Sequence, residues 1–290
     1  MIGHGSLCRS NDKWNGICSE QYIARLEMEK YMITAMLFAG GVGSRMKSQD
    51  MPKQFLVVGG KPIIVRTMEN FAKHPEVDAI VVACKADWID YLQDLIVKFN
   101  VKKVKAVVPG GENGFDSIHN GVVATAEFQK NPEDLILICD GVRPMISQEL
   151  ISNCIRDTKK HGTAVPVTPS IDSLLYSEDG DFCDKSYKRS SMYVTQAPQG
   201  YTMEKILWAH EEAYKRGILS PVSSSELFIE LGHPVHLFIG ERQNIKVTTP
   251  EDLQTLRAYF FYRNFKQFAE EELSYEIPDY VKSAGKKEWE

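Results

Sequence analysis

The chain predicts an α/β fold, a mainly parallel sheet covered by helices on both faces, and three observations lead there. From Ile33 onward, short apolar runs of strand length alternate with longer segments of helical periodicity. The runs Ile33–Ala39 and Leu135–Cys139 are apolar almost throughout, as strands buried on both faces must be. The first of them stops at three glycines, Gly40, Gly41 and Gly43, so a strand feeds directly into a tight, ligand-approaching loop.

In order, Ile33–Ala39 is the first strand and Lys61–Ala72 the first helix, with Pro62 suited to its first turn. Val77–Cys84 is a strand, Trp88–Phe99 a helix, and Val104–Val108 a short strand running into Pro109-Gly110-Gly111. Ser117–Gln129 reads as a helix, with Ser117 available as its N-cap, and the apolar strand Leu135–Cys139 ends on Asp140. Ser147 caps a helix running to Lys160, and Thr163–Val167 is a strand. Thr168–Tyr193 has weak periodicity and polar turns around Glu178-Asp-Gly-Asp181, the pattern of a β-arm leaving the sheet. Met203–Arg216 is a helix, Val235–Ile239 a strand, and Pro250–Phe268 a long helix opened by Thr249 and Pro250. Before Ile33 the chain is polar, and only Glu20–Tyr31 has helical character; the tail from Leu273 turns from acidic to basic.

Composition narrows the function. The 290 residues carry a formal net charge of −5 with their basic residues scattered, which gives no basis for nucleic-acid binding. No stretch approaches the roughly 18–20 apolar residues needed to cross a bilayer, so no membrane association is expected. Met1–Cys8 lacks an apolar leader core. The six cysteines include no C-x-x-C pair, which argues against a structural zinc site; reduced thiols and a cytoplasmic location are the expectation.

The chemistry starts at the glycine loop. Arg45, Lys47 and Lys53 follow it closely, and a strand ending in a glycine loop with fixed positive charge is a site for phosphate. It is not a P-loop, since no Gly-Lys-Ser/Thr closes it. A dinucleotide fingerprint fails too: Met46 stands where its third glycine belongs, and Lys61 lies near where its acid belongs. Asp140, just past a buried strand, sits at the sheet edge where α/β proteins bind ligands. A carboxylate there holds Mg²⁺, ribose hydroxyls, or both.

These motifs together resemble the IspD/TarI-type cytidylyltransferases, which join CTP to a small polyol phosphate and release pyrophosphate. The resemblance rests on Ala39-Gly-Gly-Val-Gly-Ser-Arg-Met46 with Pro52-Lys-Gln-Phe55 and on Pro109-Gly-Gly111 with Ser117. It continues through Asp140-Gly-Val-Arg-Pro144, Ala197-Pro-Gln199 and Asn244-Ile-Lys-Val-Thr-Thr-Pro-Glu-Asp-Leu253. It implies a Rossmann-like sheet of the nucleotidyltransferase type plus the β-arm. Residues 32–260 would form the catalytic domain, 168–193 a dimerisation arm, and 1–31 and 261–290 extensions.

The resemblance also implies roles. Arg45 and Lys53 would contact the triphosphate and stabilise the transition state, with Lys246 near the α-phosphate. Ala39, Gly40, Gly41 and Gly43, together with Gly110, Gly111, Ser117, Asp140 and Arg143, would hold the nucleotide, the Gly110–Ser117 loop reading cytosine. Asp140 would also serve the Mg²⁺ cofactor. Asp172, Ser173 and Arg189 would hold the acceptor, reached across a homodimer. The attacking group is an ionised phosphate, so alignment and positive charge are what such a reaction needs from protein.

Two departures stand out. Gly114-Phe115 replaces a region where the family often has an arginine, which gives Phe115 a stacking or packing role. Ser223-Ser-Ser225 replaces a frequent Thr-Asp-Asp, leaving Glu226 as the nearest acid. Five residues, Lys47–Met51, separate Met46 from Pro52, and with Asp-Gly-Val-Arg-Pro and Thr195-Gln196 they favour D-ribitol 5-phosphate as acceptor. 2-C-methyl-D-erythritol 4-phosphate is the alternative. A catalytically silent, nucleotide- or partner-binding member is the reading from another class; the presence of Arg45, Lys53, Asp140 and Lys246 counts against it.

Overall fold

The computed structural model describes residues 31–40 and 51–264. The expected extension 1–31 lies outside these apart from its last residue, as do Gly41, Gly43, Arg45 and 265–290.

Strand and helix alternate as the sequence predicts. The strands are β1 (Ile33–Ala39), the two-residue pair β2 (Val57–Val58) and β3 (Lys61–Pro62), β4 (Ala79–Cys84), β5 (Val104–Pro109), β6 (Leu135–Asp140) and β7 (Thr163–Pro169). An arm carries β8 (Leu175–Tyr176) and β9 (Lys185–Ser186), and β10 (Tyr193–Thr195), β11 (Gln199–Thr202) and β12 (Leu237–Ile239) follow. The helices are α1 (Ile63–Lys73), α2 (Ile89–Lys98), α3 (Gly114–Ala126), α4 (Gln148–His161), α5 (Met203–Arg216), α6 (Ser224–Glu230) and α7 (Pro250–Asn264).

Among the described residues the main sheet has the order β10-β7-β11-β6-β1-β4-β5, with β12 on β7. β6, β1, β4 and β5 are mutually parallel, and β12 is parallel to β7. β11 runs antiparallel between β6 and β7, so those two point the same way. The C-terminal ends of the parallel strands therefore share one edge. The chain proceeds from β1 to β4 and β5 on one side, then returns to place β6 on the other. That reversal makes the gap between the ends of β1 and β6 the switch point where ligands bind.

The period-2 alternation of the strands decides the layers. Ala35 and Leu37 of β1 and Leu135 and Leu137 of β6 face a cluster built from α1, α2 and α4, including Met68, Leu92 and Ile151. Met36, Ile136 and Ile138 face α3, α5 and α6 through Val122, Ile206 and Phe228. A third cluster packs α7 (Leu256) and Val247 on Val142 and Met145 beyond β6.

Several boundaries move. Pro62 precedes α1 rather than starting it, because Lys61 and Pro62 pair with β2. Asn113, not Ser117, caps α3: its side chain accepts the Asp116 N–H at 2.9 Å, and the helix opens at Gly114. A separate 3₁₀ turn, Ala86–Trp88, precedes α2. Ser147 caps α4 as expected, accepting the Leu150 N–H at 2.9 Å. β7 extends to Pro169, so the arm leaves at Ser170, whose N–H donates to Met192 O at 2.9 Å. α7 passes through 260, so the expected boundary there falls inside a helix.

β11 and α6 are absent from the pattern reading. β11 is a four-residue strand, Gln-Gly-Tyr-Thr, and every residue of it is buried. It fits under α4 only because Gly200 has no side chain: a Cβ there would lie 2.0 Å from Thr158 Oγ1 and 3.0 Å from Cys154 Sγ. Both neighbours are short and buried, so neither can swing away. Gly200→Ala is expected to cost about 1–3 kcal/mol, as overpacking does, read as a lowered denaturant midpoint with unchanged slope. An unchanged midpoint would show that the β11–α4 contact relaxes freely.

Candidate active site

Gln54 anchors the return of the glycine loop. This side chain is 1% exposed, and its amide donates to Ala39 O, the last carbonyl of β1, at 2.7 Å. Beside it Phe55 is fully buried, stacked on Trp88 with centroids 5.0 Å apart and edge-on to Tyr91 at 5.2 Å. A 3₁₀ turn over Lys53–Phe55, closed by Phe55 N–H donating to Pro52 O at 2.9 Å, places half-buried Lys53 next to these anchors. Lys53 is thus fixed near the end of β1.

The second wall is a three-way approach of backbones. A Cβ on Gly40 would sit 2.7 Å from Ser117 Oγ, and one on Gly110 would sit 3.0 Å from the same atom. On Gly111 it would overlap Asp116 Cβ at 2.1 Å. Glycine at these positions is what lets the loops after β1 and β5 close on the first turn of α3. Ser117, 1% exposed, ties the knot: its hydroxyl accepts Gly111 N–H at 3.1 Å and donates to Asn113 O at 2.8 Å. Phe115 packs inward, stacked on His210 with centroids 4.9 Å apart.

The third element is charged. Asp140, at the end of β6 and in register with Phe38 of β1, is 6% exposed. Arg143 Nε donates to its Oδ2 at 2.8 Å, and Lys246 Nζ sits 2.6 Å from its Oδ1. Burial alone would raise the Asp140 pKa; the Arg143 guanidinium and Lys246 ammonium outweigh it and hold the carboxyl below its ordinary value. Arg143 also donates to Asn244 O at 2.8 Å, and the Asn244 amide donates to Ala197 O at 2.6 Å. Val247 N–H donates to Val142 O at 3.0 Å. The segments around Asp140–Arg143, Ala197 and Asn244–Val247 are therefore tied together, and Lys246 of the last reaches the Asp140 carboxylate.

The charged cluster lines a cavity of about 190 Å³ together with Phe38, Gln199 and Ser224 among others, whereas Lys53, Gly40, Gly110, Gly111 and Ser117 do not line it. Gln199 braces it, accepting Tyr201 OH at 2.9 Å and Ser225 N–H at 3.0 Å. The serine triplet serves structure as well: Ser223 caps α6, accepting Glu226 N–H at 3.2 Å, and the Glu226 carboxylate accepts Val222 N–H. Glu226 thus serves the N-terminal end of α6 and lines no part of this cavity.

Of the expected acceptor residues, Asp172 lines an adjoining cavity that shares Arg143, Thr195, Gln196 and Lys246 with the first. Ser173 and Arg189 are exposed on the arm and line neither cavity. Gln54, Gln199 and Asn244 went unassigned although each lies in a motif the sequence singles out; Arg242 lies in none of them. For the first three the signal is membership of a motif, and for Arg242 only nearness to one; their hydrogen-bond partners and surroundings are set only by the fold.

The donor set bears on Mg²⁺. Among the described residues no group of three or more His, Cys, Asp or Glu converges on one point. Asp140 offers one carboxylate whose oxygens each keep lone-pair capacity beside their present hydrogen bond. This fits a cation carried by phosphate oxygens that takes one protein carboxylate.

The charge cluster yields a test. A carboxyl held below its ordinary pKa adds stability above the unfolded value of about 3.9, lost as pH falls through the lower folded pKa. In Lys246→Met one of the two cations is gone, so the Asp140 carboxyl, followed by carbon NMR, should titrate at higher pH than in the parent. An unmoved titration would mean Lys246 does not hold Asp140 in solution.

The family model described as 2-C-methyl-D-erythritol 4-phosphate cytidylyltransferase, IspD, matches residues 33–262. The chain is 40% identical over 228 residues to a ribitol-5-phosphate cytidylyltransferase of Vibrio parahaemolyticus, covering 78% of this chain and 95% of that one. It is 36% identical over 224 residues to a 2-C-methyl-D-erythritol 4-phosphate cytidylyltransferase of Clostridium acetobutylicum, covering 77% and 94%. The crystal structure of a 4-diphosphocytidyl-2C-methyl-D-erythritol synthase from Anaerococcus prevotii superposes with a TM-score of 0.68 at 27% identity, covering 81% and 98%. With a sheet of matching architecture, the motifs gathered at its switch point and relatives matched over nearly their whole length, the chain belongs to the IspD family of cytidylyltransferases.

Proposed function

We propose that this chain transfers the cytidylyl group of CTP to D-ribitol 5-phosphate, forming CDP-ribitol and pyrophosphate. The observation that carries the reading is the Asp140–Arg143–Lys246 cluster at the switch point, in a chain 38–40% identical to ribitol-5-phosphate cytidylyltransferases. The five-residue spacing before Pro52 and Asp-Gly-Val-Arg-Pro support ribitol over methylerythritol phosphate. The methylerythritol reading keeps the support of the 36% relative and the family model.

The acceptor phosphate is already anionic and attacks the α-phosphorus of CTP as the bond to pyrophosphate breaks. No proton need be removed, so the residues align and neutralise. Arg45 and Lys53 neutralise the triphosphate, Lys53 from its turn behind Gln54. Lys246 spends one N–H on Asp140 and has two more for phosphate oxygens. Arg143 is a positioning residue, committed to Asp140 and Asn244 O. The loop at Gly110–Gly111 offers carbonyl acceptors that suit the exocyclic amino group of cytosine. Mg²⁺, with Asp140 as its protein ligand, supplies further charge neutralisation when bound.

The arm supports a homodimer. Its β8–β9 ladder is two residues long, and Leu175 and Phe182 are 69% and 83% exposed. A hairpin this short is marginal alone, and a twofold partner is the commonest cover. Arg189 then reaches the partner's acceptor.

Pyrophosphate release from CTP is the direct test, with D-ribitol 5-phosphate turned over fastest and EDTA abolishing the reaction until Mg²⁺ is restored. Faster turnover of 2-C-methyl-D-erythritol 4-phosphate would reverse the substrate assignment, and no release with any polyol phosphate would leave a silent binder. Lys53→Ala and Arg45→Ala should each lower kcat by roughly 10²–10³. Near-normal kcat would remove that residue from the mechanism. For the shared site, Arg189→Ala should raise the acceptor KM, and mixing it with Lys53→Ala should restore activity once subunits exchange. Confirmed exchange without recovery would place Arg189 in its own subunit's site.

A further inference from the structure

We propose that Arg242 grips the phosphate of the acceptor, from the same chain that holds the nucleotide; this rests on the cytidylyl-transfer reading above. The second cavity, about 460 Å³, lies against the first and is lined by Arg242, Lys246, Asp172 and Thr168 among others. Lys246 and Arg143 line both cavities, so a phosphate in the second lies beside the cation that faces the nucleotide.

The loop carrying Arg242 is fixed by its neighbours. Glu241 N–H donates to Gln196 Oε1 at 3.1 Å, and Gln196 Nε2 donates to Glu241 O at 2.7 Å. The Glu241 carboxylate accepts from Ser147 Oγ and from Gln243 Nε2, the latter at 3.1 Å. The nearest acid in sequence is therefore occupied elsewhere, and no carboxylate among the described residues pairs with Arg242. Asp172 lines the same cavity and has no cation partner among them either.

An exposed guanidinium on a rigid loop, lining a cavity with one carboxylate that no cation pairs among the described residues, matches a ligand with an anion at one end and hydroxyls at the other. A polyol phosphate is that ligand: its phosphate takes a bidentate grip from Arg242, and its hydroxyls donate to Asp172. The guanidinium and Lys246 then hold the attacking oxygens between them, with Lys246 also facing the nucleotide and Lys53 and Arg45 on the rest of the triphosphate.

The test is the Arg242→Gln enzyme assayed with CTP and D-ribitol 5-phosphate, alongside Arg242→Lys. Loss of a charge-assisted bond should raise the acceptor KM about tenfold or more and leave the CTP KM within about twofold, with lysine recovering only part. Calorimetric titration of D-ribitol 5-phosphate should weaken in parallel. An unchanged acceptor KM, or an equal rise in the CTP KM, overturns the assignment. Should the parent not turn over D-ribitol 5-phosphate, the substrate reading falls and Arg242 is judged separately by titrating inorganic phosphate. Affinity about tenfold lower in Arg242→Gln sustains it, since such a bond is worth that much; equal affinity overturns it.

Discussion

A buried carboxylate must be compensated, and here Asp140 is compensated by two cations from different parts of the chain. Arg143 comes from the loop just after β6, and Lys246 from a segment about a hundred residues later. Meeting that requirement pulls the second segment under the end of the sheet, where Asn244 also bonds the Ala197 carbonyl. The site is therefore a consequence of how one charge is buried. The two partners are not equivalent. Arg143 is as buried as Asp140, and removing one partner of such a pair typically costs about 3–5 kcal/mol, so it stays in place. Lys246 is 43% exposed, and a pair with that much water around it is worth only about 0–1 kcal/mol. Of the two, Lys246 is the cation that can turn away from Asp140 without unfolding the wall.

Steric closeness does for the loops after β1 and β5 what charge does for the end of β6. Ser117 packs where side chains on Gly40 and Gly110 would otherwise stand, and its hydroxyl joins the turn at Gly111 to Asn113. The two loops are held through the first turn of α3, which is held in turn by Phe115 packed on α5. Where the family often has an arginine, this chain has Gly114-Phe115 with the Phe115 ring packed on α5.

The arm shows the opposite balance. Between Ser170 and Met192 it has exposed apolar side chains and a two-residue ladder, and none of its largest side chains joins the clusters beneath the sheet. What the arm contributes to its own chain is Asp172, at its root, where the strand pair β7–β10 still fixes the backbone. Within one chain the arm is tied to the fold at that root, and farther out its apolar side chains are exposed.

The sequence by itself determined the layered α/β plan, because continuous apolar runs and amphipathic helices permit few other burials, and glycine, proline and cap residues punctuate them locally. It also marked Ala39, Gly40, Lys53, Gly110, Gly111, Asp140, Arg143 and Lys246, since each sits in a motif whose chemistry is local. It did not reveal β11 or α6, which are too short for periodicity and form because α4 and Gln199 hold them. It offered Ser117 as a helix cap or as a hydroxyl of the nucleotide loop; in the fold Asn113 is the cap, and Ser117 packs between Gly40 and Gly110, 77 and seven residues away. Only the tertiary structure decided that Lys246 meets Asp140, that Glu226 is consumed by capping, and that Arg242 faces a cavity. Those outcomes depend on contacts between segments far apart in the chain, where no local propensity acts and only the summed packing of the sheet sets who lies beside whom.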